Sequence, residues 1–418
     1  MLRLLQPNAL TTLAALAFAC IAQAEVHEVK AGDDWSKLGP KLVAGDEVVL
    51  LEGAHVPAQF TGLLGKPGKP IVIRSHDKSK LAEIAAGREG LRLTNCRHVR
   101  IERLLIKNAR RAGLVVDAID QGESSDIAIE DTRVSGVSGL VEQSGILVIG
   151  SRGCAIRRSR IEQCTGAAVR FENSQGLTLE RLQLQAPADG GEFGLMCMGE
   201  TRELSVDDML VTGGFAVGLS IGAKDAPRAP KPAKDPAGFE PITAPRPDQP
   251  AQEPAQPDAQ PPKPAPEPPA DTALAAQVNL ANLLIRGADR ALEFGSCAQV
   301  QVTNTTVIDP SNAVLRLVRL GGGRPDPEVR FRGNLVAWQP GGLRQLVEVA
   351  GGADASGLRI GSNIWWSNEL PAALPHLGPE GNPFAGTVEV PQTTDIDPRL
   401  DNRGRPAREE AKMYGRNL

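Results

Sequence analysis

Residues 96–106 read CRHVRIERLLI. A thiol two positions from an imidazole, set among arginines, is the raw material for a nucleophile, a metal-ligand pair or a phosphate grip. A second set is more dispersed: Arg170 and Glu172 flank Phe171, while Glu293, Arg316 and Glu348 each stand between apolar neighbours. A base that accepts a proton, next to a cation that steadies the charge left behind, is the minimum such groups would have to supply. The five histidines are scattered and show no metal spacing. Past residue 24 the cysteines are Cys96, Cys154, Cys164, Cys197 and Cys297, an odd number with no C-x-x-C, so neither a zinc knuckle nor a dense disulfide framework is implied. Buried thiols are the expectation, with one disulfide bridge as the alternative.

These residues belong to a repeat. Val99-Arg-Ile101-Glu-Arg returns at Ile127, Cys154, Leu177, Leu204, Val278, Val300, Val329 and Leu358. The starts lie about 22 to 29 residues apart, except for one step of about 74. Each unit alternates apolar and polar residues with period two, which is a strand with one buried face, and a polar or glycine-containing turn follows. A second strand comes about 12 to 18 residues on, at Gly113-Leu-Val-Val, Gly145-Ile-Leu-Val, Gly166-Ala-Ala-Val, Gly194-Leu-Met-Cys, Gly218-Leu-Ser-Ile and Ala291-Leu-Glu-Phe. Two or three short strands per turn, stacked in register, predict an all-β parallel solenoid. No amphipathic helix of crossover length intervenes, which excludes doubly wound α/β folds and barrels with alternating helices.

Composition agrees. The 418 residues carry 46 Lys plus Arg against 50 Asp plus Glu, a net charge of -4, which argues against a dedicated nucleic-acid binder. With 44 Gly, 33 Pro and 3% aromatics, the core must rest on Val, Ile, Leu and Ala between many turns. Residues 1–24 read as a cleaved secretory signal: Arg3, the apolar run Ala9 to Ile21, then Ala22-Gln23-Ala24 before Glu25. A lipoprotein signal ending at Cys20 is the weaker alternative, and nothing later is apolar enough to span a bilayer. Residues 25–95 are expected to form a cap and first rungs, 96–223 further rungs, and 273–366 their continuation. Between them the Pro/Ala-rich stretch 224–272 has too little apolar bulk to fold, and its removal reduces the long step to a normal rung. Residues 367–418 lose the period and are expected to form a C-terminal cap or tail.

The opening AGDEVVLLEGAH, then GKPGKPIVIRS, the rungs, SNIWW, and DIDPRLDNRGRPA near the end together resemble the right-handed parallel β-helix superfamily, the pectin-lyase-like fold. The resemblance covers nearly all of the mature chain outside 224–272. It implies an exported protein acting on an acidic polysaccharide, as a lyase or a hydrolase, with β-elimination as the leading chemistry and calcium as a metal such an enzyme can use. The specific motifs of its enzymes are missing. Neither the vWiDH nor the RxPxxR segment of pectate lyases is present, since Arg403-Gly-Arg-Pro-Ala-Arg408 misplaces the proline. Of the polygalacturonase signatures only Asp207-Asp208 remains, in the ordinary turn position of its rung. The RHG context of chondroitinase B and alginate lyases fails at Val99. A non-catalytic surface or envelope scaffold therefore stays open beside the polysaccharide-binding or lyase reading, and the sequence shows no cofactor motif.

On the solenoid, a candidate catalytic face falls on outward positions of the second strand: Arg170, Glu293, Arg316 and Glu348, the last three on successive rungs, with Asp117 as an extension of undetermined column. A surface salt-bridge stack is the competing reading. The turn pairs Glu102-Arg103, Glu130-Asp131, Arg157-Arg158, Glu180-Arg181 and Asp207-Asp208 read as solvated turns. Asn282, Asn304, Asn334 and Asn363 read as turn asparagines. Trp338, Trp365 and Trp366 are expected to pack against the C-terminal cap rather than to stack on sugars. In CRHVRIERLLI itself, Val99, Ile101, Leu104 and Ile106 should point inward, Arg100 and Glu102 outward, and His98 should be a turn residue in the column of Asp126. Cys96 should be a small buried filler in the column of Cys297.

Overall fold

A computed structural model describes residues 24–138, 143–223, 274–321, 323–339, 341–367, 398–401 and 405–415. The predicted signal apart from Ala24, the whole proline-rich stretch 224–272 and much of the C-terminal tail lie outside the described residues.

The described strands form one continuous 29-stranded sheet in which every strand pairing is parallel and joins a strand to one about a rung away. The chain winds as a coil with three strands per turn, and like strands pair from rung to rung, so the ladder divides into a first, a second and a third sheet. The repeat phrase makes the first: Ile73, Ile101, Ile129, Ile156, Leu179, Val206, Leu280, Val302, Phe331 and Ile360 are paired one to the next. All of them are buried. Period-two alternation aims every such residue at the axis, so one residue type per rung builds a continuous apolar column. A second, shorter strand follows each turn, as at Arg160–Glu162 and Leu284–Arg286. The third sheet holds 112–117, Ser144–Ile149, Ala167–Glu172, Gly191–Met198, Phe215–Ile221, Arg290–Phe294, Ala313–Val318 and Gln345–Ala350. Val206 pairs directly with Leu280, so the strands on either side of 224–273 are adjacent rungs.

One rung of the sequence reading is out of register. Ile146 pairs with Val169 and Val148 with Phe171, so Ala168-Val-Arg-Phe, not Gly166-Ala-Ala-Val, matches Gly145-Ile-Leu-Val. A Cβ at Gly145 would lie 2.5 Å from the Ala168 oxygen, and that close approach, rather than glycine identity in each rung, defines the column.

The turns separate two kinds of asparagine. Arg103, Asp131, Arg158, Arg181, Asp208, Asn282 and Asn304 form a column with φ between 48° and 55°, a left-handed turn repeated rung after rung. Asn334 and Asn363 do not belong to it. Both are buried, and they bond along the stack: Thr305 N donates to Asn334 Oδ1 (2.9 Å), and Asn334 N to Asn363 Oδ1 (2.8 Å). Their amides donate back to the Val302 and Phe331 carbonyls, both at 3.1 Å. The same column holds Ser159, whose hydroxyl accepts from Thr132 N at 3.2 Å.

All five described cysteines are free and buried. Cys96 and Cys297 do share a column, joined through Ser124, Ser151, Ser174, Thr201 and Ala275. Trp338 and Trp365 enter the main core, whereas Trp366 packs on the outer cluster of Leu335, Ile364 and Ala411 with Leu400 and Tyr414.

Candidate functional site

The third sheet carries the predicted face. Arg170, Met196, Ser220, Glu293, Arg316 and Glu348 are successive partners in one outward column. Glu293, Arg316 and Glu348 are therefore neighbours, about 4.8 Å from strand to strand. Arg170 stands apart, with the rungs of Met196 and Ser220 between.

Arg316 is the bridge. Its Nη1 lies 2.6 Å from Glu293 Oε2 and its Nε 3.2 Å from Glu348 Oε1. The other oxygen of Glu348 takes Arg290 Nε at 2.7 Å, and Arg290 Nη1 reaches Asp289 at 2.8 Å. Ser220 donates its hydroxyl to Glu293 Oε1 at 2.9 Å. Bonding to Glu348 holds the Arg290 guanidinium above its ordinary pKa, and proton release there is disfavoured. Arg170 pairs with Glu172 at 2.5 Å. Asp117, whose column the sequence left open, lies in that of Glu172 through Ile149. There Thr94 donates to it at 2.7 Å, and Arg92 joins it to Glu89.

The face is not the open, solvated surface that its outward direction suggested. Arg170 is 7% exposed and Glu293 4%. Between the charged groups stand outward apolar side chains: Val115 and Leu147 with Ala112, and Phe193, Met196, Met198 and Val217 with Ala167. Charge and carboxylate are matched along the ladder, so its chemistry is structural pairing with donors left over on Arg316, whose side chain is 28% exposed.

A different place presents two lysines that make no ion pair among the described residues, beside more loosely paired cations. The first sheet's outward column Glu47, Val72, Arg100, Ala128 floors a groove of about 710 Å³, walled by Lys66, Lys69, Pro70, His98 and Asp126. The turn Lys66-Pro-Gly-Lys69 closes on itself through paired backbone bonds of 3.0 and 2.9 Å, with Gly68 at φ 74°. Leu63 anchors it in the core, and the backbone bonds Arg97 N to Leu63 O (2.8 Å) and Gly65 N to Arg97 O (2.9 Å) lay it beside the repeat strand. A Cβ at Gly65 would stand 2.2 Å from the His98 oxygen, so only glycine lets the turn approach this closely.

Lys66 and Lys69 are exposed and make no ion pair among the described residues. Arg100 is loosely held by Glu102 at 3.6 Å, and His98 Nδ1 lies 3.5 Å from Asp126. Glu47, the other acid, is taken by Arg74 at 2.6 Å. His98 and Arg100 come from the stretch that the repeat explained as wall. They are wall residues, with φ 50° at His98 as its turn column predicts, and they also form the rim of the groove. What the sequence reading missed was the partner, GKPGKP, whose tight-turn signal and two lysines were visible but whose docking beside Arg97 was not.

Calcium, implied by the resemblance, takes roughly six to eight oxygen ligands. Among the described residues no three His, Cys, Asp or Glu side chains converge as a metal site, and the ladder carboxylates point at guanidinium groups. This donor set does not fit calcium, and no step is routed through it.

Among solved structures the chain is similar to an alginate lyase from Paenibacillus sp. str. FPU-7, at 14% identity and a TM-score of 0.50, over 85% of this chain and 97% of that one. A GH136 lacto-N-biosidase from Eubacterium ramulus superposes with a TM-score of 0.54 at 10% identity, over 85% of this chain but only 65% of that protein's length. No family model and no curated protein matches the chain. At such identities the likeness is one of fold.

Proposed function

We propose that this chain, a right-handed parallel β-helix of the pectin-lyase-like kind, is an exported protein that binds an acidic polysaccharide, gripping its carboxylates in the groove of Lys66, Lys69 and Arg100. The observation that carries this reading is the pair of exposed lysines with no ion-pair partner among the described residues, set on one turn above a floor containing Arg100. Repeating negative charge on a polymer supplies what these cations lack, and a groove along stacked strands accepts an extended chain. The predicted export rests on Ala22-Gln23-Ala24 and its apolar run. Binding is favoured over β-elimination by the ladder, where Arg290 and Arg316 are each bonded to carboxylates rather than poised as a base.

The test is binding of the purified protein to alginate and polygalacturonate beside a neutral glucan, at low and high salt. Acidic chains should bind, with affinity falling as salt rises. Lys66→Ala with Lys69→Ala should weaken binding about 3- to 10-fold, the sum of two exposed ion contacts, without changing the melting temperature. Equal binding to the neutral glucan, or no effect of the double substitution, would sink the reading. Appearance of unsaturated, ultraviolet-absorbing products would instead make the protein a lyase.

A further inference from the structure

Asp46 is the most deeply buried carboxylate at the N-terminal end of the coil, 1% exposed. It lies on the turn between Val43 and Glu47 and accepts two backbone bonds, from Val43 N at 2.8 Å and from Glu25 N at 2.9 Å. His27 Nε2 stands 3.6 Å away and makes no hydrogen bond. Burial pushes the Asp46 carboxyl up, but the Glu25 and Val43 amides and His27 outweigh it, leaving the group below the usual carboxylate range. A carboxylate this deeply buried depends on those partners to stay charged. One of its two amides belongs to Glu25, the residue directly after Ala22-Gln23-Ala24.

The geometry points to a maturation lock: hydrolysis of the Ala24–Glu25 bond turns the amide that faces Asp46 into an α-ammonium, and this ion pair fastens the first strand to the coil. In that step a leader peptidase directs water onto the Ala24 carbonyl, the C–N bond breaks, Ala24 leaves as a carboxylate, and the Glu25 nitrogen gains the protons. The neutral N–H···O bond becomes a charge-assisted one at the same site. Nothing upstream of Glu25 is needed for the ladder, since Glu47 N already bonds Glu25 O at 2.9 Å and Val26–Val29 pairs with Glu47–Leu50. Cleavage also removes Ala24 from the end of the cationic groove, where it sits against Gly45. The inference deepens the export reading, and its own chemistry can be tested apart from it.

The other charged groups at that end of the coil are the Glu25 side chain, His27, Glu47 with its partner Arg74, and Lys69 beside Gly45. An ordinary α-amine titrates at about 7.7 to 8.0. Paired with Asp46 it should titrate higher, so its stabilisation is complete below that range and disappears as pH rises through the raised value.

Two measurements decide it. Mass spectrometry of the exported protein should show Glu25 as the first residue; another terminus would overturn the processing site. Separately, protein released by a protease so that it starts at Glu25 should show an amine midpoint at least one unit above about 8, read by pH-dependent acetylation. Asp46→Asn should return it to the ordinary value, and N-acetylated protein should melt on the order of 2 °C lower. An ordinary midpoint in the Glu25-started protein would overturn the lock whether or not export holds, and even if Asp46→Asn fails to fold.

Discussion

A cysteine reacts only as its thiolate, and this chain holds its thiols where that form is penalised. Burial pushes Cys96 up to about 11 and Cys154 and Cys164 to about 12. The Cys96-Arg97-His98 grouping therefore has no nucleophile in it: Cys96 faces the core, its Sγ 3.3 Å from the Thr94 carbonyl, while His98 faces the groove. Alkylation at pH 8 should leave Cys96, Cys154, Cys164, Cys197 and Cys297 unmodified in the native protein and label them all in denaturant, counted by intact mass. A native-state adduct on any of them would contradict their burial. Asp46 sets the acid side of stability. With its folded pKa lowered, its contribution is present above about 3.9, the unfolded value, and is lost as pH falls through the lower folded value. Asp46→Asn should flatten that acid limb in thermal melts.

At the scale of elements, two stacks with the same strand spacing behave differently because of what surrounds them. In the charged stack, Arg316 joins Glu293 and Glu348, and Glu293 is nearly inaccessible. Arg316→Met removes the nearest cation and leaves the buried Glu293 carboxylate with the Ser220 hydroxyl and the more distant Arg290 charge, a loss of about 1 to 3 kcal/mol, read by urea unfolding. Adding Glu293→Gln should recover part of it. A change within about 0.5 kcal/mol would mark the ladder as solvated surface pairing. In the asparagine stack, Asn334 satisfies the Thr305 amide and the Val302 carbonyl, so Asn334→Ala should cost about 1 to 3 kcal/mol. Asn304→Gly, at φ 50°, should be neutral or stabilising. The two asparagines look alike in sequence, since each follows a strand, but they are one residue apart in the repeat. That offset moves the side chain from a left-handed turn to an inward-facing position.

Across the whole molecule, the rungs flanking 224–273 bond as directly as any others. The residues flanking that stretch meet at one place: Ser296 N bonds Gly222 O at 3.0 Å, and Leu274 N bonds Ser296 Oγ at 3.4 Å. Replacing 224–273 by a short Gly/Ser link should therefore keep the coil intact, with melting unchanged or slightly raised, because a shorter loop costs less closure entropy. Collapse of the fold on excision would show that the neighbouring rungs depend on that stretch.

The repeat, the all-β class, the inward set Val99, Ile101, Leu104 and Ile106, and the shared column of Cys96 and Cys297 were legible from sequence. Burial in a coil is a period-two property, and it is written locally in every rung. The order Glu293, Arg316, Glu348 was legible for the same reason. Its closure by Arg290 and Asp289, the apolar neighbours that bury Arg170, and the one-residue difference between Asn304 and Asn334 depend on register. Register is decided by packing between rungs, which no single rung contains. The groove is the clearest case: Lys66 and Lys69 lie about 30 residues before Arg97, and only the close approach of Gly65 to the His98 backbone makes them neighbours of Arg100. Sequence determined which residues face in and which face out along most strands, though not for Asn334 and Asn363 at the turns. The tertiary structure decided which outward charges are already matched and which are left to meet a partner, because charge matching is a sum over neighbours that the chain brings together only when it coils.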